Sequence, residues 1–495
     1  MSLPRLAALA AMAALLIACA NSTALGSAAA AAPAATRPHW SSATLVPGVG
    51  GDWSEPFSVS CTGPGDCTAG GNYGPDEPYT QSLPFVVTEV GGTWGAAKTV
   101  TGIPVLGADQ SEQYAAVTSV SCAWPGNCAA VGYYLTRWAG FTGQAFAVNE
   151  VNGAWQRTHP LAGVTGRENV NALGADWAIT VSCAPATTRA AREAGLNCLA
   201  VGSDRTHGHQ QGFVAQARHG SWGAGQLVDG LARLGGTRPS QVNAVSCAAP
   251  GACAIGGYYT DGNGRREAFA DAQADGGWHP ASEVPGTSAL NAKGSAEVDA
   301  VDCPAPGNCA AAGDYRSKDG AAEFFVVKAA WATWHAAIEV PGLARLGNGA
   351  DLAGAPIAEL SCAQASCEVG GTVNAKAAGG TSGFLIGETR GRWSAPHLVP
   401  GASSAVTALS CPTAGNCAVG GTAGHSGLPV HGIALDQVNG VWGTPVTVAP
   451  DTQGVAAGMV TALSCAAARH CAAVGFLPDG GEAGPRTAVA TEGQP

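Results

Sequence analysis

The chain has 495 residues, 46% of them apolar and only 12% charged, with 71 Gly and 30 Pro, which excludes a disordered polymer and a bundle of charged helices. A formal net charge of -11 with 24 Lys and Arg, not gathered into a basic run, excludes an electrostatic footprint for nucleic acid. Length alone suggests about three domains, but internal repeats override that reckoning.

Residues 1–19 read as a signal peptide: Arg5 precedes an apolar stretch from Leu6 to Ile17 that is too short to span a bilayer. Leu16-Ile17-Ala18-Cys19 resembles the bacterial lipobox, whose cysteine is acylated and becomes the mature terminus. The alternative is an ordinary secretory cut within the run Ala28 to Ala35. Cysteine arithmetic favours lipidation of Cys19, because 17 cysteines is an odd number for an exported protein. Residues 20–36 read as an Ala-rich tether and 37–495 as the folded body. No later run reaches the roughly 18 apolar residues a span requires, so membrane contact is expected through the lipid alone.

The other sixteen cysteines fall in eight local pairs: Cys61 with Cys67, Cys122 with Cys128, Cys183 with Cys198, Cys247 with Cys253, Cys303 with Cys309, Cys362 with Cys367, Cys411 with Cys417, and Cys465 with Cys471. Small and β-branched residues precede the first cysteine, as in Ser119-Val120-Ser121-Cys122, and Cys-x-[Ala/Val/Ile]-x-Gly follows at the second. The intervening Pro-Gly-Asn type sequences are turn chemistry. A β-hairpin with one cysteine on each arm results, and facing residues about 4.5 to 5.5 Å apart suit a disulfide. A zinc site would need four gathered ligands where each copy offers two. The stretch Ala184 to Asn197 reads as one elaborated turn.

A third strand follows in each copy, for example Ala145 to Val151, then a turn such as Asn152-Gly153 or Asn439-Gly440, the strongest two-residue hairpin signal. Trp94, Trp155, Trp222, Trp278, Trp334, Trp393 and Trp442 come next, and a fourth strand runs to Val-Pro-Gly or a variant. The tryptophans suit either a stacking platform or core packing between copies, and their regular recurrence favours the core. Trp40 to Gly48 is a fourth strand without its first three, while the copy from Cys465 to Glu492 lacks a fourth. The expected fold is therefore all-β: an eight-bladed β-propeller of four-stranded antiparallel blades, closed by the N-terminal outer strand pairing with the C-terminal blade.

The phrases Ser-Val-Ser-Cys-x5-Cys-Ala-Ala-Val-Gly-Tyr-Tyr, Phe-x-Val-x-Glu-Val-x-Gly-x-Trp and Val-Pro-Gly resemble those of exported, Cys-clipped repeat proteins of actinobacteria. That resemblance covers nearly the whole mature chain and implies architecture and location, not activity. Glu89-Val90-Gly91-Gly92-Thr93-Trp94 is faintly similar to the Asp-box of sialidase-type propellers, although most copies lack the Asp and no Arg-Ile-Pro element is present.

Function is expected on the face carrying the variable loops, Tyr73 to Ser82, Tyr134 to Gly143, Ser203 to Gln211, Tyr259 to Glu267, Tyr315 to Glu323 and Thr372 to Gly383. Tyr73, Tyr134, Tyr259 and Tyr315 recur at one place in four copies; they either ring an entrance as ligand-binding groups or cover strand ends. His207-Gly208-His209 lacks a third ligand and reads as a loop, and Asp261-Gly262-Asn263-Gly264 reads as a turn. No metal or cofactor is expected. The leading expectation is a monomeric surface binding or scaffold module for a glycan, cell-wall polymer or protein, leaning away from an enzyme. The alternative is an extracellular carbohydrate-active hydrolase or lyase, which two or more carboxylates with an Arg at the channel mouth would favour.

Overall fold

A computed structural model describes residues 40–75, 81–103, 113–137, 142–167, 179–204, 209–274, 276–340, 359–375, 380–399, 404–424, 431–449, 458–477 and 484–493. The signal sequence, Cys19 and the tether lie outside the described residues. The described chain is nearly all β and β-propeller-like, built from repeated antiparallel sheets.

In each repeat the inner and second strands form the clipped hairpin, as in Gln113–Trp124 with Asn127–Arg137. The third strand pairs with the second, and the outer strand is broken in two: Thr93–Trp94 and Lys98–Thr99 both pair with Gln81–Val90. All eight expected disulfides form, with Cα–Cα separations of 3.9 to 4.1 Å, closer than expected. The elaborated turn after Cys183 holds a short helix, Arg189–Glu193, capped where Thr188 Oγ1 accepts from Ala191 N–H. Asn152 and Gly153 adopt φ of 50° and 80°, as do Asn439 and Gly440 at 52° and 81°, the two positive angles an Asn-Gly hairpin turn requires. Each such turn rests on the clipped turn of its own repeat, with Gly153 N–H donating to Gly126 O at 2.8 Å.

The glycine of the Cys-x-x-x-Gly phrase has a steric cause. Among the described residues six inner strands carry a β-bulge, for instance between Val117 and Ser119 or Val298 and Ala300, and the bulge swings a backbone carbonyl toward the second strand. A Cβ at Gly132, Gly313 or Gly475 would lie 1.9, 2.0 or 1.8 Å from that carbonyl. No other residue fits.

Consecutive repeats are tied together by one recurring hydrogen bond. The backbone N–H of each first cysteine donates to the side chain just before the first cysteine of the preceding repeat: Cys122 to Ser60, Cys183 to Ser121, Cys247 to Ser182, Cys303 to Ser246, Cys362 to Asp302, Cys411 to Ser361 and Cys465 to Ser410. Cys61 N–H in turn donates to Ser464 Oγ at 3.0 Å. Thr44 and Leu45 pair with Val489 and Ala488, and Trp40 bridges to Glu492.

The apolar interior is divided among the junctions. Among the described residues there are eight clusters, each drawing on neighbouring repeats and each containing or bordering one turn tryptophan, Trp40 included. The recurring third-strand phenylalanines Phe85, Phe146, Phe213, Phe269, Phe325 and Phe384 are fully buried there, each contributing about 1.5 to 3 kcal/mol.

Candidate functional site

The bulge decides which inner-strand side chain leaves the ladder. It is the residue four before the first cysteine: Phe57, Thr118, Asn243, Asp299, Thr407 or Thr461 in the repeats where both arms are described. Bulges re-aim side chains in this way. In four repeats the re-aimed group donates to a backbone carbonyl of the next repeat: Thr118 to Ile179 O, Asn243 to Val298 O, Thr407 to Val460 O and Thr461 to Pro56 O. Asp299 occupies the same place with a carboxylate.

A second column lies toward the variable-loop end, where residues six before the first cysteine and five after the second face each other. The pairs are Glu55 with Asn72, Ala116 with Tyr133, Gln241 with Tyr258, Glu297 with Asp314, Ala405 with Thr422 and Met459 with Phe476. Only the fifth repeat, among the described residues, sets two like charges directly opposite, an arrangement that destabilises an antiparallel pair.

Glu297, Asp299 and Asp314 converge, with one carboxylate oxygen from each lying within 4.8 Å of the others. Glu297 Oε1 receives Arg266 Nη1 at 3.0 Å and Oε2 receives Asn243 Nδ2 at 3.0 Å. Arg266 also lies over the Tyr258 ring, 4.0 Å from its centroid. Asp299 Oδ2 is shut off from solvent and accepts no hydrogen bond. Burial raises Asp314 to about 7, with the Glu297 charge adding and Arg316 and Arg266 opposing. Asp299 is raised well above the usual carboxylate range, by burial first and then by Asp314, Glu297 and Glu359, against Arg266. Burial alone raises Glu359 to about 7. Asp302, by contrast, is satisfied: it accepts from Ser246 Oγ and Cys362 N–H.

The four tyrosines singled out in the sequence are not brought together. Tyr134, Tyr259 and Tyr315 are buried in three different junction clusters, and Tyr73 borders a fourth. Tyr73 Oη meets Thr99 Oγ1 at 2.6 Å and Tyr259 donates to Glu283 Oε2 at 3.0 Å. They occupy the core face of the second strand. The preceding residues Tyr133, Tyr258 and Asp314 take the other face, and in a Tyr-Tyr doublet the two-residue period alone does not say which ring faces which way. Of the His207-Gly208-His209 motif, His207 and Gly208 lie outside the described residues. Asp261 accepts from the N–H groups of Asn263 and Arg265, the local turn expected of it. Sequence reading missed the Glu297, Asp299 and Asp314 cluster; aligning the repeats on their cysteines and reading each column for its odd member exposes it.

A second set of buried carboxylates lies at the opposite, clipped-turn end, beside the tryptophans. Glu89, Glu150, Glu388 and Glu492 each pair across from a turn tryptophan. Burial raises Glu89 to about 7 and Glu492 to about 8. Lys328 binds Glu388 directly.

No protein-family model matches the chain, and no curated protein matches it. Among solved structures it is similar to Sqt1 of Chaetomium thermophilum bound to the N-terminus of ribosomal protein L10, at 13% identity over 91% of this chain and 100% of that one, TM-score 0.49. A protein of unknown function from Dyadobacter fermentans matches at 10% identity over 92% and 98%, TM-score 0.39. The six-bladed propeller lectin of Aleuria aurantia, which recognises fucose, matches at 10% identity over 70% and 96%, TM-score 0.33.

Proposed function

We propose that the chain is an exported, closed eight-bladed β-propeller, tethered through a lipid on Cys19, that serves as a binding module for a glycan or cell-wall polymer. Eight disulfides suit an oxidising compartment, and no helix among the described residues is long and apolar enough to cross a membrane. Closure is supported by the Cys61 to Ser464 hydrogen bond, which repeats across the chain ends the bond made between consecutive repeats, and by the Thr44 to Val489 pairing, which supplies the last repeat with its outer strand.

The observation that carries the binding role is the local breakdown of an otherwise uniform frame. Where the fourth and fifth repeats meet at the variable-loop end, Asn243, Tyr258, Arg266, Glu297 and Asp314 gather in one interacting group, and Glu297 and Asp314 set two acids in a column that holds at most one in the other described repeats. The Arg266 side chain, 42% accessible and steadied by the Tyr258 ring beneath it, and the Glu297 carboxylate beside it offer the paired hydrogen bonds that hydroxyl-rich ligands take. A polymer-binding screen, comparing the protein with Tyr258→Ala and Arg266→Ala, tests this. Loss of retention on a glycan or cell-wall polymer in the variants is the expected result; no retention of the unaltered protein on any polymer overturns it, and retention only on protein bait redirects the ligand class.

The hydrolase reading has a specific observation behind it, since three carboxylates and Arg266 do gather. Their enclosure argues against it: Asp314 is buried and Asp299 Oδ2 is shut off from solvent, whereas a catalytic carboxyl must reach the substrate or an attacking water. Release of reducing sugar from a bound polymer, abolished by Asp314→Asn, would establish the hydrolase instead.

A further inference from the structure

We propose that Glu297, Asp299 and Asp314 form a binding site for a divalent cation of the hard, oxygen-preferring class, calcium foremost. Three independent features of the fifth repeat point there. Glu297 and Asp314 are directly opposed across an antiparallel pair, where like charge is costly and where the other described repeats place at most one acid. Asp299 sits on the bulge at the place where Thr118, Asn243, Thr407 and Thr461 each donate a hydrogen bond to the next repeat, and its Oδ2 makes none. Its Oδ2 is shut off from solvent and has no hydrogen-bond partner, and Asp299 contributes one of the three carboxylate oxygens that converge within 4.8 Å.

The nearby donors do not neutralise this group. Arg266 and Asn243 are both directed at Glu297, one on each of its oxygens, leaving Asp299 Oδ2 unserved. Arg266 is hydrogen-bonded to Glu297 alone, and three carboxyl groups held with one oxygen each within 4.8 Å of the others repel one another when ionised, a repulsion that a divalent ion relieves. The donor set is carboxylate alone, with no thiol or imidazole among the three residues, which selects against zinc and copper and for calcium, magnesium or manganese. Calcium is preferred because it accepts irregular arrays of six to eight oxygens, whereas magnesium demands a near-ideal octahedron and keeps its water. The hydrogen bonds at Glu297 act as the orienting outer shell that such sites use. The ion would tie the bulge of the fifth repeat to its second strand, whatever ligand the module takes, so this site and the polymer-binding reading stand or fall separately.

The test is calorimetric titration of the purified full-length chain, stripped with chelator, against calcium chloride, with magnesium chloride and sodium chloride at matched ionic strength. One saturable site in about the millimolar range or tighter, as for extracellular calcium modules, is expected, with magnesium weaker. Asp299→Asn should weaken it at least about tenfold while supplying the carbonyl-directed donor that Asn243 supplies, so the fold is kept; Asp314→Asn is the second variant, and Asp319→Asn, on an exposed loop, should bind as the unaltered chain does. No saturable heat with any divalent ion overturns the site, as does undiminished calcium binding by both Asp299→Asn and Asp314→Asn. If Asp299→Asn does not fold, Asp314→Asn and the unaltered chain decide between these outcomes.

Discussion

Replacing Trp40 with alanine should unlatch the chain ends. Trp40 is 8% exposed and packs with Val448, Val460, Leu463 and Ala490 in the cluster between the seventh and eighth repeats. Its indole N–H donates to both oxygens of Asp436, at 3.2 and 2.9 Å. Truncating a buried tryptophan costs about 3 to 5 kcal/mol, and the Asp436 carboxyl left behind, itself raised to about 6 by burial against the help of this indole, adds about 1 to 3 kcal/mol for a buried acceptor without its donor. The expected total is thus ~4 to 8 kcal/mol, concentrated at one seam. Urea unfolding followed by near-ultraviolet circular dichroism, with disulfides intact, measures it, and limited proteolysis locates it: cleavage should begin between Pro38 and the inner strand of the first repeat. Trp155→Ala is the comparison, because Trp155 is half-buried and its Nε1 has no partner, so it loses apolar contact without orphaning a carboxylate. A Trp40→Ala loss under about 1 kcal/mol, or one no larger than that of Trp155→Ala, refutes the latch.

Stability should fall as pH rises from about 5 to about 8.5. Glu492 and Glu89 are raised to about 8 and about 7, chiefly by burial, with Asp436 and Asp66 adding and Arg469 opposing at Glu492. Folded pKa values above the unfolded value of 4.5 mean that the folded state holds extra protons across this window, so their stabilisation is complete below it and disappears as pH passes the folded values. Melting temperatures across that range test the sign, and Glu492→Gln should flatten the slope; a melting temperature that climbs with pH contradicts it. Among the clips, Cys183 to Cys198 closes a loop with a sequence separation of 15 against 6 for Cys122 to Cys128. Loop entropy then assigns about 3 kcal/mol to the first and about 2.4 kcal/mol to the second. Double Cys→Ala variants of each pair, compared by urea unfolding, should rank in that order, and the reverse order would show that native strain or residual hairpin outweighs chain entropy.

The frame was legible because the fold repeats its own requirements. Cysteines facing each other, Asn-Gly turns needing two positive φ angles, a glycine crowded by a carbonyl and a tryptophan at each junction all recur at fixed offsets. The partial fourth strand at Trp40 announced its partner by the same rule. What stayed hidden depends on the bulge. A bulge inserts one residue without changing composition, so it shifts which side chains leave the ladder, and nothing in the spacing Cys-x5-Cys marks it. The two readings of the tyrosines stay open in the sequence for a related reason: Tyr133 and Tyr134 are both aromatic, and only the paired register, which sets Tyr133 against Ala116 and leaves Tyr134 packed near Phe146, assigns them to opposite faces.

The same bulge explains why the acidic cluster arises in a repeat that is otherwise ordinary. A frame held by backbone pairing, clipped hairpins and junction cores leaves the bulge residue and the Glu297 to Asp314 column free of any packing duty, so these positions tolerate charge where the core does not. Asp302 shows the limit of that freedom. It stands in the column where seven serines accept a cysteine N–H, and it still accepts from Cys362, so the substitution keeps the acceptor the frame needs. Asp299 breaks its column instead, leaving Oδ2 without a partner where four other repeats donate to the next repeat. A residue that keeps its column's chemistry is explained by the fold, and one that reverses it needs a partner the fold does not supply. On that criterion Asp299, more than any tyrosine or histidine in the chain, is the residue whose replacement should change what this protein binds.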